Sequence, residues 1–233
     1  MSRLLAELLR RNETHVERFQ SRFGEVQDSQ HPEVVTVCCA DSRVLQDHLW
    51  GNEEPGRLFT CSNIGNRVVQ RTRGGTIVSG DVLYPLVHAG SELVVVVGHT
   101  GCGAVTATYD HLTGGSTGSD GTGDEPPGIE HCVDLLADYL DAGVAALPDG
   151  VDRESAVNRL VEYNVDRQVD SLLDSEDVPE DVDVVGVVYD FQDVYDGRRG
   201  EIHVVNVAGE TDVAALRAAH PEVAGRVDRL WEY

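Results

Sequence analysis

Two short segments of this chain carry residue types that bind metal ions. Cys39-Ala40-Asp41-Ser42-Arg43 follows one apolar run, and His99-Thr100-Gly101-Cys102-Gly103 follows another. Two thiols and an imidazole are a donor set for tetrahedral Zn2+, and three protein ligands leave a fourth position for water. That pattern belongs to catalytic rather than closed structural sites. With two thiolates and a neutral His the site sums to zero charge. Its water should therefore keep a higher pKa than the ~7 of zinc held by three His. Asp41 can accept a hydrogen bond from that water, and Arg43 can hold Asp41 ionised and aimed. The same Asp41 could instead bind the metal, so an open state and a closed state follow.

Each residue also has a plainer reading. Cys39 and Cys102 could be buried apolar residues, and His99 a core histidine satisfied by backbone. Taken together, at strand ends and beside a charged pair, they favour zinc. Cys38 should face away from Cys39 if the strand continues, and with Cys61 and Cys132 it reads as a core or spare thiol. The histidines outside the second motif show no ligand spacing and read as mostly surface residues, any of which could relay protons.

The elements that would position the motifs are legible from patterning. Val34-Val35-Thr36-Val37-Cys38 and Leu93-Val94-Val95-Val96-Val97 are β-branched runs typical of buried parallel strands. Each ends at one of the motifs. Further strands are expected at 57–61, 184–189 and 201–205, the last pair joined by a hairpin near Asp196-Gly197. Helices are expected over 3–23, 75–89, from Ala104, over 130–146, 152–173 and 211–233. Alternating strands and helices imply an α/β fold, a mainly parallel central β-sheet flanked by helices, with sites at the carboxyl ends of strands. The chain reads as one domain over 1–233. Residues 1–30 form an N-terminal helical arm, and 113–128 an exposed, acidic, Gly-rich loop. Glycines around His99 and Cys102 let the backbone bend between the ligands. Cys102 should stand at the start of a helix, whose positive end favours a thiolate.

Composition excludes several partners. Of the 233 residues, 41 are acidic and 18 basic, net −23, and every basic residue is Arg. Such a surface repels nucleic acid and anionic membranes. The acids are spread along the chain, which points to a halophilic protein whose self-repulsion is screened by salt. The N-terminus is a poor signal peptide, and no apolar run approaches the ~20 residues of a membrane span. With five Cys, an odd number, the expectation is a cytoplasmic protein with reduced thiols.

At these motifs the chain resembles the β-class carbonic anhydrases. Cys39 to Arg43 matches their Cys-x-Asp-Ser-Arg pattern, and His99 to Gly103 their His-x-x-Cys-Gly pattern. Weaker likenesses run through Ser62-Asn63-Ile64-Gly65-Asn66, Asn164-Val165 with Gln168-Val169, and Gly186-Val187-Val188-Tyr189-Asp190. The resemblance implies reversible hydration of carbon dioxide to bicarbonate by zinc-bound hydroxide, with one Zn2+ per subunit. It implies Cys39, His99 and Cys102 as ligands, Asp41 as a fourth ligand in the closed form, and Asp41 with Arg43 as the catalytic dyad. It also implies a homodimer or higher homo-oligomer, the N-terminal helix wrapped over a partner. Ser62 stands where family members usually carry Arg, part of a non-catalytic bicarbonate site in some; that regulation is not expected here. Glu54 is assigned no role. Rival readings are a carbon disulfide or carbonyl sulfide hydrolase on the same scaffold and a non-catalytic zinc protein with a closed site. A redox pair at Cys38 and Cys39 ranks last, because adjacent Cys make strained disulfides.

Overall fold

The computed structural model describes residues 2–115 and 125–233. Strands β1 (Val34–Cys39) and β5 (Leu93–His99) lie side by side and parallel at the middle of a five-stranded sheet. β2 (Leu58–Asn63) flanks β1 in parallel, and β6 (Asp183–Asp190) flanks β5 in parallel. β7 (Glu201–Val207) closes the far edge antiparallel to β6, joined to it through residues 191–200. The order is β2-β1-β5-β6-β7. Branched side chains on both faces of β1 and β5 explain their central place, since such strands must be covered on both sides. Cys39 is the last residue of β1 and His99 the last of β5. Two neighbouring strands therefore deliver one candidate ligand each to the same end of the sheet.

One face of the sheet carries Val35, Val37, Val94, Val96, Val188 and Val205 into the main core. Helix α3 (Gly80–His88) packs there against β1 and β2, and α6 (Arg153–Leu173) against β5 and β6. α4 (Gly103–Leu112) and α5 (Pro127–Ala146) pack on each other and on α6. The opposite face holds a smaller cluster of Cys38, Val44, Val95, Val97 and Val187. Around it Leu93, Val185, Ile202 and Val204 are half-buried, lining a groove with Leu49 and Trp50. Helix α1 (Arg3–Phe19) buries none of its residues, and Leu4, Leu5, Leu8 and Leu9 are exposed.

The structure departs from the sequence expectations in five places. The first helix ends at Phe19 and continues as a 3-10 turn over Gln20–Glu25. Residues 75–78 are β4, paired with β3 (Val69–Thr72) in a two-stranded hairpin, and the helix expected over 75–89 starts only at Gly80, capped by Ser79. The Ser79 hydroxyl accepts from the Asp81 amide, so helix cannot extend through it backwards. The 113–128 loop lies mostly outside the described residues, but Pro127 and Gly128 already belong to α5, where Pro suits the first helical turn. The helix expected over 211–233 is confined to α7 (Val213–Ala219), after which the chain makes a turn and a short 3-10 helix (Ala224–Arg226) and then runs without helix to Tyr233. α2 (Gln46–Leu49) is a single turn that the sequence did not announce.

Candidate metal centre

Cys39, His99 and Cys102 come together at the carboxyl ends of β1 and β5, all three buried. Their donor atoms lie within 4.8 Å of one another. The sulfurs are 3.8 Å apart, and two ligands each about 2.3 Å from a tetrahedral zinc stand about 3.8 Å apart. The Nδ1 of His99 meets the Thr100 carbonyl at 3.0 Å. A carbonyl can only accept, so Nδ1 carries the proton and the Nε2 lone pair is free. That Nε2 is buried with no hydrogen-bond partner. A buried, unpartnered imidazole nitrogen beside two sulfurs is costly unless a metal ion completes it. The triad therefore fits one zinc ion.

Local structure prepares the thiols. Cys102 is the N-cap residue of α4, as the glycines and spacing had suggested, and the amides of Ala104 and Val105 pull its thiol down. The stronger influence is the Cys102–Cys39 hydrogen bond. It lowers Cys39, helped by the Gly65 amide at 3.5 Å, and together with burial raises Cys102. Both thiols must be ionised to bind a metal, so zinc would displace the proton of the Cys102–Cys39 hydrogen bond. Gly65 sits at φ +81, and a Cβ there would come within 2.5 Å of Leu136. Only glycine can bring that amide to the sulfur. Its loop is clamped from α6. Gln168 Oε1 accepts from the Val68 amide at 2.8 Å, and Asn164 Nδ2 donates to the Gly65 carbonyl at 3.2 Å.

Asp41 and Arg43 border the triad. Asp41 Oδ1 accepts from Arg43 Nε and from the Arg43 amide, both at 2.9 Å, and Oδ2 accepts from Nη2 at 2.6 Å. Arg43 holds the carboxyl well below the usual carboxylate range, chiefly through its side-chain hydrogen bonds. Asp41 Oδ2 is 3.8 Å from His99 Nε2, but Asp41 stays on Arg43 and outside the three-residue cluster.

A family model described as "Carbonic anhydrase" matches residues 34–202. The chain belongs to the carbonic anhydrase family. Among its relatives, beta carbonic anhydrase 6 of Arabidopsis thaliana, described as mitochondrial, is 31% identical over 90 residues, covering 39% of this chain and 31% of the relative. The chain thus spans about a third of that relative's length. A crystal structure of an Aspergillus fumigatus β-carbonic anhydrase superposes with TM-score 0.69 at 24% identity, covering 97% of this chain and all of the other. A tetrameric β-carbonic anhydrase of Sordaria macrospora gives TM-score 0.67 at 19% identity over 87% of this chain and 95% of its own. These neighbours share the mainly parallel sheet, and β-class carbonic anhydrases use zinc, which the triad can hold.

The remaining cysteines stand elsewhere in this carbonic anhydrase fold. Cys38 is buried on the opposite face of the sheet, where burial pushes its thiol up to about 12. Cys38 and Cys39 point to different faces, which removes the redox pair. Cys61 is buried in the main core, with its thiol likewise pushed up to about 12 by burial. His203, expected at the surface, is instead buried against Tyr195 with ring centroids 4.4 Å apart. Ser62 is exposed.

The sequence reading placed the hairpin connection after β6 but gave its first residues no role at the site. Asp190 had been read only as a strand residue, and Phe191 not at all. The Phe191 ring lies 4.6 Å from the Arg43 guanidinium carbon and 5.6 Å from the His99 ring centroid. Gly101, at φ +59, donates its amide to Asn158 Oδ1 at 2.8 Å and packs on Gln192. An Asp at a strand end, followed by a polar run, is a turn-capping signal that could have flagged the loop.

Proposed function

We propose that the chain catalyses the reversible hydration of carbon dioxide to bicarbonate and a proton. Cys39, His99 and Cys102 would hold one zinc ion per subunit. One observation carries this reading: the buried, unpartnered His99 Nε2 faces two sulfurs at tetrahedral-edge separation, bordered by a carboxylate fixed by a guanidinium. Zinc so held would supply the Lewis acidity that lowers the pKa of water, though less than zinc held by three His.

The chain's own residues do the rest. Arg43 occupies Asp41 Oδ1 with two donors and Oδ2 with one, which leaves Oδ2 the freer oxygen on the side of His99. Asp41 then accepts a hydrogen bond from the reacting water, orients it, and passes the proton towards solvent. Arg43 keeps Asp41 in that role and is braced by the Gly101 carbonyl at 3.2 Å. When Arg43 lets go, Asp41 is placed to become a fourth ligand and close the site.

Five strands in one sheet between residues 34 and 207 support a single domain over 1–233. The exposed leucines of α1 and the half-open sheet face beside Leu49 and Trp50 support a homodimer or higher oligomer. The charge of −23 without Lys supports a halophilic origin, and the free cysteines a cytoplasmic one. Among the described residues no helix is long and apolar enough to cross a membrane.

The test is zinc stoichiometry and stopped-flow carbon dioxide hydration on one sample in high salt. One zinc per chain with hydration activity is expected, and Cys39→Ser should lose the metal. Folded protein that binds no zinc, or zinc-loaded protein inert at every pH, overturns the proposal.

A further inference from the structure

The β6–β7 connection is more tightly built than a surface loop needs to be. Asp190, buried at the end of β6, takes the amides of Gln192 and Asp193 on Oδ1 at 3.0 and 2.9 Å. Its Oδ2 takes those of Val194 and Tyr195 at 2.9 and 3.0 Å. The Thr100 hydroxyl, one residue beyond His99, donates to Asp190 Oδ1 at 3.2 Å and accepts from the Phe191 and Gln192 amides at 3.2 and 3.3 Å. One carboxylate and one hydroxyl thus tie the loop to the strand that carries His99. Asp193 adopts φ +69, the kind of backbone that persists only when its surroundings hold it. What this scaffold fixes is the side chain of Phe191.

The geometry points to Phe191 as a positioning residue for the Asp41–Arg43 pair, an inference that rests on the carbonic anhydrase reading of the site. Its ring lies against the His99 imidazole, 23° from parallel, while the Arg43 guanidinium lies over it. The Arg43 side chain is half exposed, so a long, mobile group must be kept in one conformation against its own entropy. Two oxygens of Asp41 and the Gly101 carbonyl hold its edge. Phe191 supplies the face, where a guanidinium is attracted to the ring's electron density. Without the ring, Arg43 gains freedom towards solvent, and Asp41, only 3.8 Å from His99 Nε2, gains freedom towards the triad. Phe191 therefore biases the site towards the arrangement with Asp41 on Arg43.

The test uses zinc- and cobalt-loaded protein. Phe191→Leu keeps apolar volume and removes the π face; Phe191→Tyr keeps it. With full metal content, F191L should lose about five-fold in kcat with KM within about two-fold, from the typical strength of such a contact. F191Y should recover to within about two-fold of wild type. In an Arg43→Gln background, F191L should change kcat by less than about two-fold, because the residue it acts through is gone. The visible spectrum of the cobalt(II) protein should change in F191L and not in F191Y. Wild-type kcat and cobalt spectrum in metal-loaded F191L overturn the inference. So does equal loss in F191L and F191Y, or failure of F191L and Phe191→Met alike to fold with metal, since the ring would then be only structural. If wild type proves inactive, the reaction assignment fails, while the cobalt comparison still decides whether Phe191 governs the site.

Discussion

Arg43 and Arg229 each grip an aspartate through two nitrogens, but in opposite settings. Arg43 reaches Asp41, two residues away, at 2.9 and 2.6 Å, with its own side chain 50% exposed and its partner's 15%. Arg229 reaches Asp166 across 63 positions of sequence at 3.4 and 2.8 Å, with exposures of 3% and 1%. The first pair spends its geometry on a carboxylate edge presented to the metal triad. The second presents nothing. Asp166 also accepts from Asn206 Nδ2 and the Tyr233 hydroxyl, and Arg229 also donates to the Val205 carbonyl, so the C-terminal segment is pinned onto α6 and β7. One ion-pair chemistry borders the candidate metal centre where it is local and wet, and ties chain segments together where it is long-range and dry.

The sharpest way to break this contrast is to neutralise each pair in turn. Asp41→Asn should keep its zinc and lose about 10²–10⁴ in turnover, the usual range for a positioned proton acceptor. Its melting temperature should stay within about 3 °C of wild type, since a half-exposed pair adds little stability. Wild-type turnover in D41N, measured by stopped flow at equal zinc content, removes Asp41 from the chemistry. Arg229→Met should do the reverse. It leaves Asp166 buried without its cation, at a cost of about 3–5 kcal/mol. The melting temperature should fall by roughly 10 °C, with turnover per zinc unchanged well below the midpoint. If R229M instead matches wild type in stability, the buried pair is not what holds the tail.

The same buried region makes a smaller, pH-dependent prediction. Glu162 on α6 is fully buried; its Oε1 accepts from the Tyr195 hydroxyl at 2.6 Å and the Leu230 amide at 2.7 Å, while Oε2 has no partner. Burial pushes its carboxyl up from the ordinary 4.5 to about 7, against the pull of Arg229. Between those values the folded state holds a proton that the unfolded chain has released. Stability must therefore fall as pH rises through that window and level off above it. The full effect is about 3 kcal/mol. Glu162→Gln cannot ionise, so its urea midpoint relative to wild type should improve between pH 5 and 8. A constant difference across that range would mean that Glu162 ionises as easily inside the fold as outside it.

These two regions also differ in how far sequence alone exposes them. The candidate triad was legible because each of its residues sits in a local pattern, a β-branched run ending in Cys39 or His99, then a glycine-bordered turn to Cys102. Arg43 was legible because it lies two residues from Asp41. The Asp166–Arg229 pair was not, because its members are 63 positions apart and nothing local marks either as buried. The helix expected over 211–233 failed on a local signal that the reading passed over: Pro221 follows His220, the non-helical C-cap of α7, and proline disfavours helical backbone at the residue before it. The hairpin of β3 and β4 was passed over although Thr76-Ile77-Val78 is a β-branched run and Ser79 is the N-cap at which α3 begins. Phe191 was missed because its partners come from distant segments, Arg43 from the turn after β1 and His99 from the end of β5.

A third fork completes the comparison and carries the smallest effect. Arg153 holds Asp110 at 3.0 and 2.6 Å, almost the bond lengths of the Arg43 pair, but it faces solvent with 58% exposure and lies between α6 and α4, away from the triad. Geometry alone would rank it with Arg43. Its distance from the triad sets it apart from the Arg43 pair, whose exposure it nearly shares, and its exposure sets it below the Arg229 pair, because an exposed ion pair gains little in water and is screened by salt. Arg153→Gln should cost at most about 1 kcal/mol at low ionic strength. At about 2 M KCl the mutant and wild type should melt together, since the screening length there is below about 3 Å. Over the same titration both proteins should gain stability, because the net charge of −23 repels itself less as salt rises. A salt-independent loss in R153Q would mean that the fork is held by packing and not by charge. A wild-type melting temperature that is flat or falling with KCl would remove the case for a halophilic protein while leaving the metal centre untouched.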